Sequence, residues 1–456
     1  MNIQLSDHFT YRKLLRFTLP SIVMMIFTSI YGVVDGFFVS NFAGKTPFAA
    51  VNFIMPFLMI LGAVGFMFGA GGSALISKTL GEGDRTRANR LFSMLVYISV
   101  AVGIVIAVFG ILFIRPIAVF LGASGEMLEA CVIYGRIILA ALPAFMLQME
   151  FQSFFITAEK PQLGLYVTIA SGCANMVLDA LFVAVLPSLW GMGDTDRLIG
   201  AASATAISQL IGGALPLFYF FRPNKSLLRL TRTGFDGKAF LKVCTNGSSE
   251  LMSNVSMSLV GMLYNMQLMR YAGEDGVAAY GVLMYVSMIF MAAFIGYSIG
   301  TAPVIGFHFG AENHTELKSL LKKSLILIGI FSVGMLILGE ALAYPLSMIF
   351  VGYDEGLLQL TLSGFFIYSF SFLFSGIAIY GSSFFTALNN GLVSALISFL
   401  RTLVFQIVAV MFLPPLFDVL FQSGIDGIWV SIVVSEVMAV VVTVTFLIGM
   451  RKKYHY

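Results

Sequence analysis

Charge is scarce in this chain. Of its 456 residues only 11% are Asp, Glu, Lys or Arg, while 59% are hydrophobic, and the mean hydropathy is +0.94. A soluble globular domain carries about 25% charged residues, so a water-exposed fold and any sizeable soluble catalytic domain are excluded. Cysteine is almost missing. Cys131, Cys173 and Cys244 lie far apart with no CxxC, which removes a disulfide framework and a cysteine zinc site. Four histidines, His8, His308, His314 and His455, are too scattered for a metal cluster. No GxxxxGK[ST] motif is present, and the loose glycine pattern at Gly69 to Ala74 sits inside an apolar segment with no strand before it. HExxH and GxSxG are absent too, so no enzyme is expected and no cofactor is required. A net charge of +3 gives no reason to expect a nucleic acid partner.

Long apolar runs are what remains. At ~20 to 30 residues per span, the chain accommodates about twelve transmembrane helices. The runs fall at approximately 14–40, 47–77, 91–114, 130–156, 161–186, 198–221, 240–269, 277–307, 323–350, 357–386, 391–416 and 425–450. No short apolar run with a small-residue cleavage site precedes Arg16, so the first segment reads as an uncleaved span. With both termini in the cytoplasm, the cytoplasmic loops collect roughly twenty basic residues against about four outside. That asymmetry supports twelve spans with both termini inside, and the expected location is the cell inner (plasma) membrane.

The sequence also repeats. Shifted by about 229 residues, Ser29 to Gly81 aligns without a gap on Ser258 to Gly310, with Gly44, Gly71 and Gly81 meeting Gly273, Gly300 and Gly310. Six spans per repeat is an even number, so the halves share their orientation and are related by an axis along the membrane normal. The expected fold is an all-α integral membrane protein of twelve helices in two pseudo-symmetric six-helix lobes, residues 1–221 and 240–456, joined by a cytoplasmic linker at 222–239. Two lobes about one axis suit alternating access to a site near the midplane.

Charges inside hydrocarbon are costly unless they meet a partner, water or function. Six acids qualify: Asp35, Glu150, Asp179, Glu250, Glu340 and Glu436. Asp35 lies ~21 residues into the first span and Asp179 ~18 into the fifth. Both spans run outward, so at ~1.5 Å per residue the two reach a similar depth. Tyr31 precedes Asp35 by one turn, and Asn175 precedes Asp179 by one turn. Two carboxylates with amide and hydroxyl oxygens suit a proton or a hard cation such as Na⁺. The alternative is two acids satisfied separately by packing. Gly32 and Gly36 flank Asp35 and would let a neighbouring helix approach. Pro20 removes a backbone hydrogen bond and would let the first helix bend. In the second half Tyr264, followed by Asn265, takes the place of Asp35, and Glu250 opposes Ser21. Glu250, Tyr264 and Asn265 are therefore expected at a substrate cavity. Glu150 could pair with Lys160 or Arg401, and Glu340 and Glu436 could face a vestibule.

These residues resemble the multidrug and toxic compound extrusion (MATE) transporters, and more closely their bacterial multidrug exporter branch. The resemblance rests on Pro20, the Val-Val-Asp35-Gly-Phe-Phe-Val run, Gly71-Gly72-Ser-Ala-Leu-Ile-Ser-Lys-Thr-Leu-Gly81-Glu-Gly-Asp84, Ala-Glu159-Lys-Pro161, Asn175-Met-Val-Leu-Asp179 and Gly200-Ala-Ala-Ser-Ala-Thr205. It implies a secondary antiporter that exports amphipathic, cationic drugs or toxic metabolites in exchange for H⁺ or Na⁺. The coupling ion would be held in the first lobe by Asp35, Asn175 and Asp179, with Thr205 as a further ligand and Tyr31 beside them. If the ion is sodium, Asp35, Asp179 and Asn175 are its ligands. The expected partners are lipophilic cations and the bilayer, and the expected state is a monomer. A flippase for a lipid-linked precursor is the competing reading. It would need basic residues in the cavity, and only Arg136 and Arg401 lie well within spans.

Overall fold

A computed structural model describes residues 3–191 and 193–456. With no water in the bilayer core to satisfy free backbone groups, an apolar chain of this length folds into helices that bond internally. Among the described residues, eleven uninterrupted helical stretches are long and apolar enough to cross a membrane. They are α1 (Tyr11–Phe42), α2 (Thr46–Gly81), α3 (Arg85–Leu121), α4 (Gly125–Thr157), α5 (Pro161–Trp190), α6 (Asp194–Phe221), Gly237–Gly310, α9 (His314–Val351), α10 (Glu355–Ala387), α11 (Gly391–Phe421) and α12 (Gly424–Gly449). The 74-residue stretch Gly237–Gly310 is two helices in one, because Gly273 has φ 61° and ψ −149° inside it. We divide it into α7 (237–272) and α8 (274–310), which gives twelve spans. The helices overrun the apolar runs at most ends, since a helix continues through the polar headgroup layer.

The duplication is written in the turns. Gly44 and Gly273, Gly83 and Glu312, Glu159 and Asn389, and Gly191 and Gln422 all have left-handed backbone, and each pair occupies the same turn of the two halves. Residues 3–10, the C-terminal end, the turns at 82–84, 158–160, 311–313 and 388–390, and the linker 222–236 lie on one face, called here the basic face.

Glycine sets how closely the lobes meet there. A Cβ on Gly81 would collide with the carbonyl oxygen of Phe307, and a Cβ on Gly310 with that of Lys78. Shifted by about 229 residues, these are one contact seen from its two sides. Gly71 against Gly247 and Gly300 against Thr18 form a second reciprocal pair. Reciprocity of this kind is the signature of a two-fold axis. The lobes therefore have parallel, not inverted, topology.

The apolar core has the same asymmetry. Val243, Phe294, Tyr297, Ile305 and Tyr380, from the basic-face half of the second lobe, belong to one continuous cluster with the first lobe. The opposite half of the second lobe, with Tyr264, Leu283, Phe365, Tyr368 and Trp429, forms a separate cluster. The lobes thus join at the basic face and part at the far face. A strap before α1 reinforces the closed end. The Leu5 amide donates to Glu159 Oε1 at 2.6 Å in the first lobe, while the Phe9 amide donates to Glu316 Oε1 at 2.9 Å and His8 Nδ1 meets Glu316 Oε2 at 2.6 Å in the second.

The reciprocal glycines carry a direct expectation. Gly81→Ala and Gly310→Ala each force two backbones apart and should destabilise the protein by about 1–3 kcal/mol, and by similar amounts because the contacts are equivalent. Thermal unfolding of the detergent-solubilised variants checks both the size and the equality.

Candidate functional site

In the far half of the first lobe, α1, α5 and α6 bring the predicted polar residues together. The Asp35 carboxylate lies against Asp179, Thr205 and Asn175, and Thr205 Oγ1 donates to Asp35 Oδ1 at 3.4 Å. Asp179 and Asn175 are buried, whereas Asp35 keeps partial solvent contact. Both Asp179 oxygens and the Asn175 amide nitrogen lack any hydrogen-bond partner among the described residues. Unpaired carboxylate oxygens in such a place are rare and call for an explanation. Tyr31 packs near Asp35 and reaches towards Gln148.

Local sequence explains the convergence. A Cβ on Gly172 would stand 2.5 Å from Cε1 of Phe27 and 2.8 Å from Cδ1 of Tyr31. Glycine at that position lets α1 settle on α5 one turn below Asn175. Nothing approaches Gly32 or Gly36 within 4 Å, so the close contact expected beside Asp35 is made from the partner helix instead. Directly after Asp179 the helix widens to wider-turn hydrogen bonding over Ala180–Val185, a local loosening that is frequent at functional sites. Pro20 does not interrupt α1, which is helical from Tyr11 to Phe42.

A second polar layer lies behind the carboxylates and was not read from the sequence. Gln148 of α4 donates to Ser171 Oγ of α5 at 3.2 Å, and Ser171 donates to the Ser208 carbonyl of α6 at 2.7 Å. Gly212 makes the room for Gln148. Tyr134, also buried on α4, faces both aspartates. Gln148, an amide within an apolar span, was the available signal.

Equivalent places in the second lobe are occupied quite differently. Counted back from the left-handed glycines, Tyr264 stands nine residues before Gly273 as Asp35 does before Gly44. Gln406 and Val410 precede Gln422 as Asn175 and Asp179 precede Gly191. Arg401 follows Asn389 by twelve residues as Ser171 follows Glu159, and Glu436 follows Gln422 by fourteen as Thr205 follows Gly191. This set satisfies itself. Tyr264 donates to Gln406 Oε1 at 2.6 Å, and Arg401 makes a two-pronged ion pair with Glu436, with both contacts at 2.9 Å. Tyr264 also stacks on Tyr280 with ring centroids 5.5 Å apart.

Several expectations are corrected here. Tyr264 does not line a cavity; it is buried in the second lobe because its hydroxyl finds Gln406 and Ser431 there. Glu436 faces Arg401 and not a vestibule. Glu150 pairs with neither Lys160 nor Arg401; it is buried on α4 and both its oxygens lack a partner among the described residues. Asn265 is exposed, and Glu250 is half-buried near the closed end of the lobe interface, its carboxylate making no hydrogen bond among the described residues.

Comparison with known proteins follows the same geometry. The MatE family model matches residues 20–181 and again 251–412, one copy per lobe. The chain belongs to the MatE family and is a transporter, not an enzyme. It is similar to the multidrug export protein MepA of Staphylococcus haemolyticus, at 27% identity over 373 residues covering 80% of each chain. The MepA of Staphylococcus aureus strain MRSA252 is 22% identical over 427 residues, covering 93% of this chain and 91% of that one. Among solved structures, an outward-facing multidrug resistance MATE transporter of the MOP superfamily superposes with TM-score 0.89 at 21% identity, covering 100% of this chain and 98% of that chain. A MATE crystal structure in the straight conformation gives 0.87 at 19% identity, covering 98% and 97%. These likenesses establish the fold.

The ion pair of the second lobe yields a test. Arg401→Met leaves the buried Glu436 unanswered and should cost about 3–5 kcal/mol, whereas the double change Arg401→Met with Glu436→Met should recover most of that loss. A thermal or denaturant double-mutant cycle measures both.

Proposed function

We propose that this transporter exports amphipathic, cationic drugs or toxic metabolites in exchange for H⁺ or Na⁺, bound between Asp35, Asp179, Asn175 and Thr205. One observation carries the reading: two carboxylates share a mostly buried pocket with no basic side chain paired to them among the described residues, while in the other lobe the buried carboxylate of Glu436 is answered by Arg401. Like charges that close, in a low-dielectric setting, are relieved by a shared proton or a bound cation. The oxygen donors on offer suit either. Relatives named as multidrug exporters support the substrate class.

Loops rich in Lys and Arg mark the basic face as cytoplasmic. On that reading both termini lie in the cytoplasm of a bacterial plasma membrane, and the parted far face opens outward. Release of the coupling ion then lets the lobes rock, with the Gly81 and Gly310 contact and the N-terminal strap separating as the basic face opens. Pro20, with no amide to donate, is the place where α1 can bend without breaking a backbone hydrogen bond. The protein is expected to work as a monomer, since each chain carries both lobes. The flippase reading loses one of its two candidate cavity cations, because Arg401 is already bound to Glu436.

Drug efflux from proteoliposomes under a fixed H⁺ or Na⁺ gradient tests the pair. Asp35→Asn and Asp179→Asn should each reduce efflux to the level of empty liposomes while their thermal stability stays within about 1 kcal/mol of the parent. Wild-type efflux rates in both variants would place coupling elsewhere. Glu250, at the closed floor between the lobes, is assigned to substrate cations. Glu250→Gln should weaken binding of a cationic dye by about tenfold, roughly the 1.4 kcal/mol of one exposed-to-buried charge contact, and leave a neutral dye unaffected. Equal affinity of parent and variant for every cationic dye would return Glu250 to a packing role.

A further inference from the structure

Where α1 of the first lobe passes α8 and α9 of the second, a crevice of about 620 Å³ opens sideways towards the membrane near the basic face. Its rim and walls differ sharply in chemistry. Arg12 and Arg16 stand at the rim, one turn apart on α1, and both are exposed. Neither makes an ion pair or side-chain hydrogen bond among the described residues, although neighbouring Lys13 pairs with Asp7 at 2.8 Å. Below them Leu19 and Ile26 continue the same face of α1, and Phe331 and Met335 of α9 form the opposite wall. The floor is closed where Ile22 backs onto Gly296.

Depth decides the occupant. From Arg16 to Ile26 the helix rises ~15 Å at 1.5 Å per residue, which is half of a ~30 Å hydrocarbon core and so the depth of one leaflet. Two guanidiniums at headgroup level over an apolar slot one leaflet deep complement an anion with a hydrocarbon tail. A lipophilic cation would be repelled at the rim.

We propose that the crevice is a binding site for one anionic phospholipid, with its phosphate held by Arg12 and Arg16 and an acyl chain lying between α1 and α9. Such a lipid touches both lobes at once. It therefore stabilises the arrangement in which the basic face is closed, and it is squeezed or released when the lobes rock.

Native mass spectrometry of the full-length protein, titrated with phosphatidylglycerol or with phosphatidylcholine of identical acyl chains, tests the site. The parent should retain one phosphatidylglycerol in preference to phosphatidylcholine. Arg12→Gln and Arg16→Gln should each reduce that preference about fivefold, and together by roughly 25-fold, at about 1 kcal/mol per arginine near an anionic surface. Arg87→Gln with Arg90→Gln, elsewhere on the basic face, should leave it unchanged. Met335→Trp, which keeps both arginines and fills the slot, should also abolish retention, and it covers the case in which the arginine variants fold poorly. Glycerol phosphate at the same concentration should not displace the lipid. Equal retention of the two lipids by the parent, an unaltered preference in Arg12→Gln/Arg16→Gln, an equal loss in Arg87→Gln/Arg90→Gln, or displacement by glycerol phosphate would each overturn the proposal.

Discussion

Inside a bilayer no polar group can turn to water, so the protein must supply every partner itself. That constraint shapes the backbone first and the side chains second. Hydroxyls within spans bend back onto their own helix: Thr18 donates to the Leu14 carbonyl at 3.0 Å, Thr361 to Leu357 at 2.7 Å and Thr443 to Ala439 at 2.7 Å. Carboxylates cannot be answered so locally. Glu436 is answered by Arg401 from the neighbouring helix, and among the described residues Asp35 accepts one long hydrogen bond, from Thr205. Asp179 is left with its oxygens open. On the proposed function an exchangeable proton or cation completes that arrangement, and it is the pairing of two carboxylates, which the second lobe lacks, that would make the first lobe the seat of the coupling ion.

Duplication followed by divergence accounts for the contrast. The two lobes still share their left-handed turn residues and their reciprocal glycines, features of backbone geometry that few other residues can satisfy. Side chains were free to drift once the backbone was fixed. Tyr264 replaces a carboxylate with an aromatic hydroxyl that binds Gln406, and Val410 replaces a second carboxylate with a buried methyl pair. Arg401 then brings a permanent positive charge to a place where the first lobe has only Ser171. There the guanidinium and the Glu436 carboxylate answer each other, so that place in the second lobe needs no further ion.

Hydropathy and loop charge made the twelve spans legible, and the ungapped alignment of glycines made the parallel repeat legible. Asp35 and Asp179 could be paired from sequence because helical rise converts residue number into depth. Depth alone does not say which way a side chain faces. Tyr264 was therefore expected at a cavity and lies in a lobe core, and Gly32 was expected to receive a helix that Gly172 receives instead. Side-chain partners were equally hidden: Arg401 was open as a partner for Glu150, and Glu436 was expected at a vestibule, until the lateral order of the helices put the two together. The strap at Leu5 to Phe9 has no periodicity to betray it, since it is held by one hydrogen bond to Glu159 and two to Glu316.

The character of the lobe interface bears on how it can open. At Gly81, Gly310, Gly71 and Gly300 the contacts run from glycine to the other helix's backbone or to a small side chain, and the carbonyls involved already lie within helical segments. Parting them forfeits dispersion contacts but strands few polar groups. Two features resist more specifically. Asn389 donates across the interface to the Ala74 carbonyl at 3.0 Å, and the strap holds both lobes through charged acceptors. Both lie at the basic face, where the bond from Asn389 and that from Phe9 to Glu316 are buried while the lobes are joined and can be replaced by solvated ones once the face opens. The costly groups, Asp35, Asp179 and the Arg401–Glu436 pair, sit within single lobes and need not change partners as the lobes move. On the proposed function, a rigid-body rocking motion would part mainly dispersion contacts at the interface and would leave the state of the cation pocket to decide which way the equilibrium lies.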